Sequence, residues 1–150
     1  MLKKILIGVG VVAVAGVAYV RLSPADLASF SIAPIATQAG NTSGANSFKA
    51  ARQITAPAAD ILHAVDSIAQ ATERTQVVAG SVGEGLVTYE TRSALMGYPD
   101  YTTVTVTDGE TGPLLVIRAQ SRFGASDMGV NRARVEDWLT QLGPLIVPAS

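Results

Sequence analysis

The chain has 150 residues, 48% of them apolar and only 15% charged, with no cysteine and a single histidine. That length supports one ordinary domain with a real core, and the missing cysteines exclude disulfides, iron–sulfur clusters, thiolate zinc sites and cysteine nucleophiles. His63 alone builds neither an all-histidine nor a two-histidine metal site, so no cofactor is expected.

Net charge is -1, but it is unevenly placed. Residues 1–56 carry Lys3, Lys4, Arg21, Lys49 and Arg52 against Asp26, whereas the remainder holds six arginines against eleven acids. A basic leading segment joined to an acidic body argues for two environments. It argues against nucleic acid as a partner, because a phosphate-binding fold needs its basic residues where it is folded.

The apolar excess lies in residues 5–20, ILIGVGVVAVAGVAYV, flanked by Lys3, Lys4 and Arg21. As a helix these sixteen residues cover roughly 24 Å, and Leu2 and Leu22 extend them toward the thickness of a hydrocarbon core. Residues 1–22 therefore read as a membrane anchor. The competing reading is a cleaved signal peptide, for which Ala13-Val14-Ala15 and Gly16-Val17-Ala18 offer small-residue sites. Both place the rest of the chain outside the cytoplasm, since the two lysines and the amino terminus outweigh Arg21. Gly8, Gly10 and Gly16 leave a smooth helix surface, either for a second helix or simply because small residues are common in spans.

Residues 23–54 read as a short helix followed by a tether. Ser23 is placed as N-cap with Pro24 at N1, giving a helix to about Phe30, and residues 31–52 are rich in Ala, Ser, Thr, Gly and Asn without a sustained period. Residues 55–143 read as an α+β domain. Ile61, Val65, Ile68 and Thr72, widened by Leu62 and Ala69, mark a helix, with His63, Asp66 and Gln70 on its polar side. Residues 75–79 and 86–92 form a hairpin about a glycine-rich turn, and 101–107 and 114–122 form a second pair. Val135, Trp138, Leu139 and Leu142 define a last helix stopped by Gly143-Pro144. The expected architecture is a four-stranded antiparallel meander with both helices on one face, followed by a tail at 144–150.

Alternation sorts the strands. Val87, Tyr89, Val104, Val106, Leu115, Ile117 and Ala119 should face the helices, and Glu90, Arg92, Arg118, Gln120 and Arg122 the opposite side. That band of arginines reads either as a solvated face or as a surface for an anion, a lipid headgroup or an acidic partner.

Residues 91–100, TRSALMGYPD, and residues 121–135, SRFGASDMGVNRARV, resemble the domain of unknown function 1499 family. The similarity covers roughly residues 55–142, and residues 19–34 more loosely resemble membrane-anchored bacterial members. Gln120 and Tyr98 depart from the family's usual residues. The resemblance implies no established activity. In the second block Ser126 or Asp127 can cap the last helix, and Asn131, one turn before Val135 on the buried stripe, must find partners for its amide. Arg92, Asp100 and Arg122 at strand ends read either as a structural clamp or as a pocket that Arg132 and Arg134 complete. No serine triad forms without His63, and no glycine-rich phosphate loop follows a strand.

The expected function is that of a non-enzymatic, single-pass domain anchored in a bacterial inner membrane through residues 5–20. Its N-terminus is then cytoplasmic and its C-terminal domain periplasmic, bound to a membrane-protein partner as an accessory subunit. The alternative is a binding module for a small anion or lipid headgroup. The residues carrying either role are Arg92, Asp100, Arg118, Arg122, Asp127, Asn131, Arg132 and Arg134.

Overall fold

A computed structural model describes residues 1–148; the last two residues of the expected tail lie outside the described residues. The chain opens with α1 (Leu2–Leu22), a helix long and apolar enough to cross a bilayer by length and composition. Residues 5–16 are exposed, Val17 and Ala18 are half-buried, and Val20 is buried. Ser23 then closes α1 by donating its N–H to Tyr19 O, and the next helix, α2 (Leu27–Phe30), begins after Asp26. The expected start at Ser23 is thus corrected. α1 runs on through Leu22, so Ser23 ends one helix and does not begin another.

Six strands follow, not four. β1 (Gly40–Ser43) and β2 (Ser47–Gln53) come from the segment expected to be a tether. β3 (Thr75–Ser81), β4 (Leu86–Arg92), β5 (Pro99–Gly109) and β6 (Gly112–Ser121) follow the helix α3 (Ala58–Ala71) and precede α4 (Val130–Leu142). The sheet is antiparallel in the order β1-β2-β6-β5-β4-β3. The four-stranded meander therefore gives way to a wider sheet in which β2 covers the edge that β6 would otherwise expose. With the sequence SFKAARQ, β2 has one large apolar side chain and weak strand propensity. It is held by its seven-residue register with β6 and by Phe48 and Ala50 in the core.

The helix-facing side is packed as alternation requires. Val87, Tyr89, Val104, Leu115, Ile117 and Ala119 join Ile61, Leu62, Val65 and Ala69 of α3 and Val135, Trp138, Leu139 and Leu142 of α4 in one core. Its two large polar-tipped aromatics are satisfied. Trp138 Nε1 donates to Thr72 Oγ1 at 3.0 Å, and the Tyr89 hydroxyl donates to Asp66 Oδ1 at 2.9 Å. Burial and the neighbouring Asp66 carboxylate push the Tyr89 hydroxyl far above its ordinary pKa. Asp66, expected on the solvated side of α3, is thereby drawn toward the sheet. The tail also packs: Ile146 joins the core, and Thr55 Oγ1 donates to Pro144 O at 2.6 Å.

The other side of the sheet is where the chain departs most from its expected solvated state. Residues 23–38 run across it as a strap. Phe30 lies 4.4 Å from the Tyr101 ring, and its carbonyl accepts from Thr103 Oγ1 at 2.7 Å. Lys49 Nζ donates to Ile35 O at 2.9 Å, and Ala36 packs on Ala51, Leu114 and Val116. The Glu110 N–H donates to Thr37 O at 2.8 Å, fixing the strap at the β5–β6 turn. Tyr101, Thr103, Val116 and Glu90 are consequently buried. Truncating Phe30 to Ala should uncover Tyr101 and destabilise the domain by about 2 kcal/mol, below the full-burial range because the ring is only half-buried. Denaturant unfolding of the detergent-solubilised chain, followed through Trp138 fluorescence, measures this.

Candidate functional site

The two sequence blocks that stand out, residues 91–100 and 121–135, fold into neighbouring connections at one end of the sheet. Arg92 pairs with Pro99 across β4 and β5, and Asp100 with Ser121 across β5 and β6, so both loops leave the same edge. In the β4–β5 loop Ser93 accepts the Gly97 N–H on its carbonyl and the Tyr98 N–H on Oγ. Gly97 sits at φ 74°, against the Arg21 side chain, where a Cβ would lie 2.9 Å from Nε. In the β6–α4 loop Met128 itself takes a left-handed φ of 51°, a conformation that costs an L-residue roughly 1–2 kcal/mol. Asp127 holds that turn: Oδ1 accepts the Gly129 N–H and Oδ2 the Asn131 N–H, each at 3.0 Å. Asp127 thus does the capping assigned to Ser126 or Asp127, while Ser126 Oγ accepts from the Met128 N–H.

Four of the eight singled-out residues form one cluster on the helix side. Asn131, fully buried, donates from Nδ2 to Ser121 Oγ at 2.9 Å and to Asn46 O at 3.3 Å, while its Oδ1 accepts from Arg134 Nη1 at 3.0 Å. Arg134 Nη2 bonds Asp100 Oδ2 at 2.8 Å, with both side chains nearly buried. Asp127 completes the cluster. Burial pushes its carboxyl up, but the hydrogen bonds from Gly129 and Asn131 outweigh that and hold it below the ordinary carboxylate value. Every member satisfies another, and the effect is to clamp the β6–α4 loop and the start of β5 to the start of α4.

Arg92 and Arg122 lie on the strap side. Arg92 pairs with Glu90 through Nε at 2.7 Å and Nη2 at 3.1 Å, and donates to Gly97 O. The Tyr101 hydroxyl also donates to Glu90, at 3.1 Å, and burial followed by that carboxylate raises its pKa. Arg122 reaches the strap, donating to Ser23 O at 2.8 Å, Ser23 Oγ at 2.9 Å and Pro24 O at 2.6 Å, and stacks over Phe123. Arg132 lies apart, paired with Glu136 and over the Phe48 ring. Arg118, half-buried in mid-strand, makes no side-chain hydrogen bond among the described residues. Tyr101, Asn46 and Ser121 are not singled out by the sequence, and Glu90 only as a member of the face opposite the helices. Alternation does place Glu90 beside Arg92, but nothing local signals that Tyr101 would be covered and turned to it.

A cleft of about 830 Å³ opens beside these loops, with Arg21, Arg74 and Arg92 among its lining residues. His63, Asp66 and Ser81 line a smaller groove elsewhere, yet no hydrogen bond joins them. Asp66 holds Tyr89 and Gln70, and Ser81 Oγ accepts from the Glu84 N–H, so the relay a nucleophilic serine requires is not assembled. Among the described residues no three histidine or acidic side chains converge on a point where a metal would sit.

The family described as protein of unknown function (DUF1499) matches residues 21–142. The chain belongs to this family. The match starts at Arg21, so the DUF1499 unit includes the strap, β1 and β2 as well as the residues that carry the sequence resemblance. Among solved structures, protein MLL2253 from Mesorhizobium loti is similar at 14% identity and a TM-score of 0.50, covering 66% of this chain and 95% of that one. Protein CV1439 from Chromobacterium violaceum matches at 19% identity and a TM-score of 0.40, covering 69% and 99%. The former likeness speaks for a shared fold. No curated protein matches.

Two expectations follow for this DUF1499 domain. Asp100→Ala leaves the nearly buried Arg134 unpaired and should cost about 3 kcal/mol; adding Arg134→Met should restore a large part of it, which a double-mutant cycle by chemical denaturation measures. Because the folded pKa of Asp127 is lowered, its contribution is complete above the unfolded value near 4 and is lost as pH falls through the folded value. Asp127→Asn should therefore lose stability at neutral pH and flatten the acid limb of a stability–pH curve below about pH 4.

Proposed function

We propose that this DUF1499 protein is a membrane-anchored, non-enzymatic domain that binds a membrane-protein partner through its anchor, as an accessory subunit at the outer side of a bacterial inner membrane. The observation that carries the reading is the junction between α1 and the domain. Val20 is buried, Tyr19 lies 6.3 Å from Phe123 ring to ring, and Arg21 donates to Leu95 O and Met96 O at 3.4 Å. An apolar helix joined this directly to a folded domain holds that domain at the membrane surface in a defined orientation. A free tether would not.

The partner reading is supported by the helix itself. Gly8, Gly10 and Gly16 lie exposed on α1 and add no side-chain bulk to its surface. Small residues of this kind let a second helix approach closely. The anion-binding alternative is less well supported, since Arg92, Arg122, Arg132 and Arg134 all bond groups within the chain. The non-enzymatic reading is supported by the same accounting: the acids and serines near the loops cap, clamp or pair, and His63 stands exposed on α3.

A photo-crosslinking residue at Val12 of the full chain should give one discrete adduct with another membrane protein. Gly8→Leu should reduce that adduct about tenfold, the equivalent of about 1.4 kcal/mol, without lowering the amount of chain in the membrane. Recovery of the uncrosslinked chain alone would overturn the partner reading.

A further inference from the structure

The geometry points to a lipid-docking surface on the domain: the β4–β5 and β6–α4 loops rest in the headgroup layer of the bilayer. This rests on the reading of α1 as a membrane span. It goes further by assigning a second, independent membrane contact and so a fixed attitude of the sheet.

Three observations carry it. The first is position. β4 ends, β5 begins and β6 ends at the edge where α1 arrives, and Arg21 bonds the carbonyls of Leu95 and Met96. The apolar window of α1 runs Ile5–Leu22, so Arg21 marks the end of the hydrocarbon core. Each headgroup layer is only about 5–8 Å thick, and a residue one hydrogen bond from Arg21 lies within it.

The second is surface chemistry. On this edge Leu95 is 85% exposed, Met128 94% and Val130 53%. Scattered apolar side chains are ordinary on a soluble surface. On the same edge a row of aromatic rings leads from the end of α1, Tyr19 to Phe123 at 6.3 Å and Phe123 to Tyr98 at 6.1 Å, the residue types that settle at membrane interfaces. Met128 has a left-handed backbone in the turn that Asp127 closes by accepting the Gly129 and Asn131 N–H groups, and its side chain stands exposed.

The third is charge. The α1 end holds Arg21, Arg74, Arg92, Arg122 and Arg134 beside Glu73, Glu90, Asp100, Asp127 and Asp137, so it is close to neutral. Arg92, Arg122 and Arg134 are engaged within the fold, Arg74 pairs with Glu73 at 2.7 Å, and exposed Arg21 reaches the carbonyls of Leu95 and Met96. The opposite end carries the exposed acids Asp60, Glu84, Asp108 and Glu110, while Arg52, which pairs with Leu115 there, is buried. Anionic headgroups repel the acidic opposite end and leave the near-neutral α1 end free to approach, so electrostatics and apolar contact select the same orientation.

The absence of cysteine makes the test direct. Leu95→Cys, Met128→Cys, Glu110→Cys and Val12→Cys are made singly in the full chain and labelled with an environment-sensitive fluorophore. The protein is then reconstituted into phosphatidylcholine–phosphatidylglycerol vesicles carrying nitroxide lipids, shallow or deep. All four positions are exposed, so labelling does not threaten the fold. Labels at 95 and 128 should shift to the blue and lose most of their emission to the shallow nitroxide. The label at 12 should be quenched by the deep one, and that at 110 by neither. If 12 is quenched while 95 and 128 behave like 110, the docking surface is overturned and the span stands. Labels at 95 and 128 shielded from both lipid nitroxide and aqueous iodide would overturn it in favour of a protein contact. An unquenched label at 12 overturns the span and the docking surface with it.

Discussion

Phe30 stacked on Tyr101 is the contact from which the organisation of this domain follows. A sheet of six strands has two faces, and α3 and α4 cover one. On the other lie Tyr101, Val116, Leu114 and Glu90, which cannot all remain in water without losing the burial that stabilises the long β5–β6 ladder. The strap of residues 23–38 supplies the cover. It must cross the sheet from the end of α1, and that obligation determines where α1 meets the domain.

From the same constraint come the two loops beside α1. Arg122 reaches the strap backbone at Ser23 and Pro24, and Arg21 reaches the β4–β5 loop, so the junction is tied from both directions. Behind it, on the helix side, Asp127, Asn131, Arg134 and Asp100 hold the β6–α4 loop and the start of α4. A buried amide and a nearly buried ion pair are poor sources of net stability but strong sources of uniqueness when every partner is present. Here they fix the β6–α4 loop from which the exposed Met128 projects.

Reading the chain as a line of periodic segments recovered α1, α3, α4 and the inward residues of β4, β5 and β6, because each has an apolar stripe whose period is a local property. Asn131 was legible for a related reason: a polar residue at a buried-stripe position must be bonded. β1 and β2 were not legible. GNTS and SFKAARQ carry the composition of a linker, and they become strands only because β6 offers a free edge and a core that Phe48 and Ala50 can enter. Asp66 was misplaced by helical periodicity alone, since it is the Tyr89 hydroxyl across the core that draws it inward.

The amino-acid order by itself determined that an apolar helix precedes an α+β domain, which strand residues face the helices, and that cysteine and paired-histidine chemistry are excluded, since all of these depend on composition or on short-range period. Only the tertiary structure decided that the sheet has six strands, that residues 23–38 cover its second face, and that the strand-end arginines bond groups within the fold. Those outcomes depend on pairings between residues as far apart as Ser23 and Arg122. They arise when a buried donor or an open sheet edge takes whatever partner the folded chain brings to it.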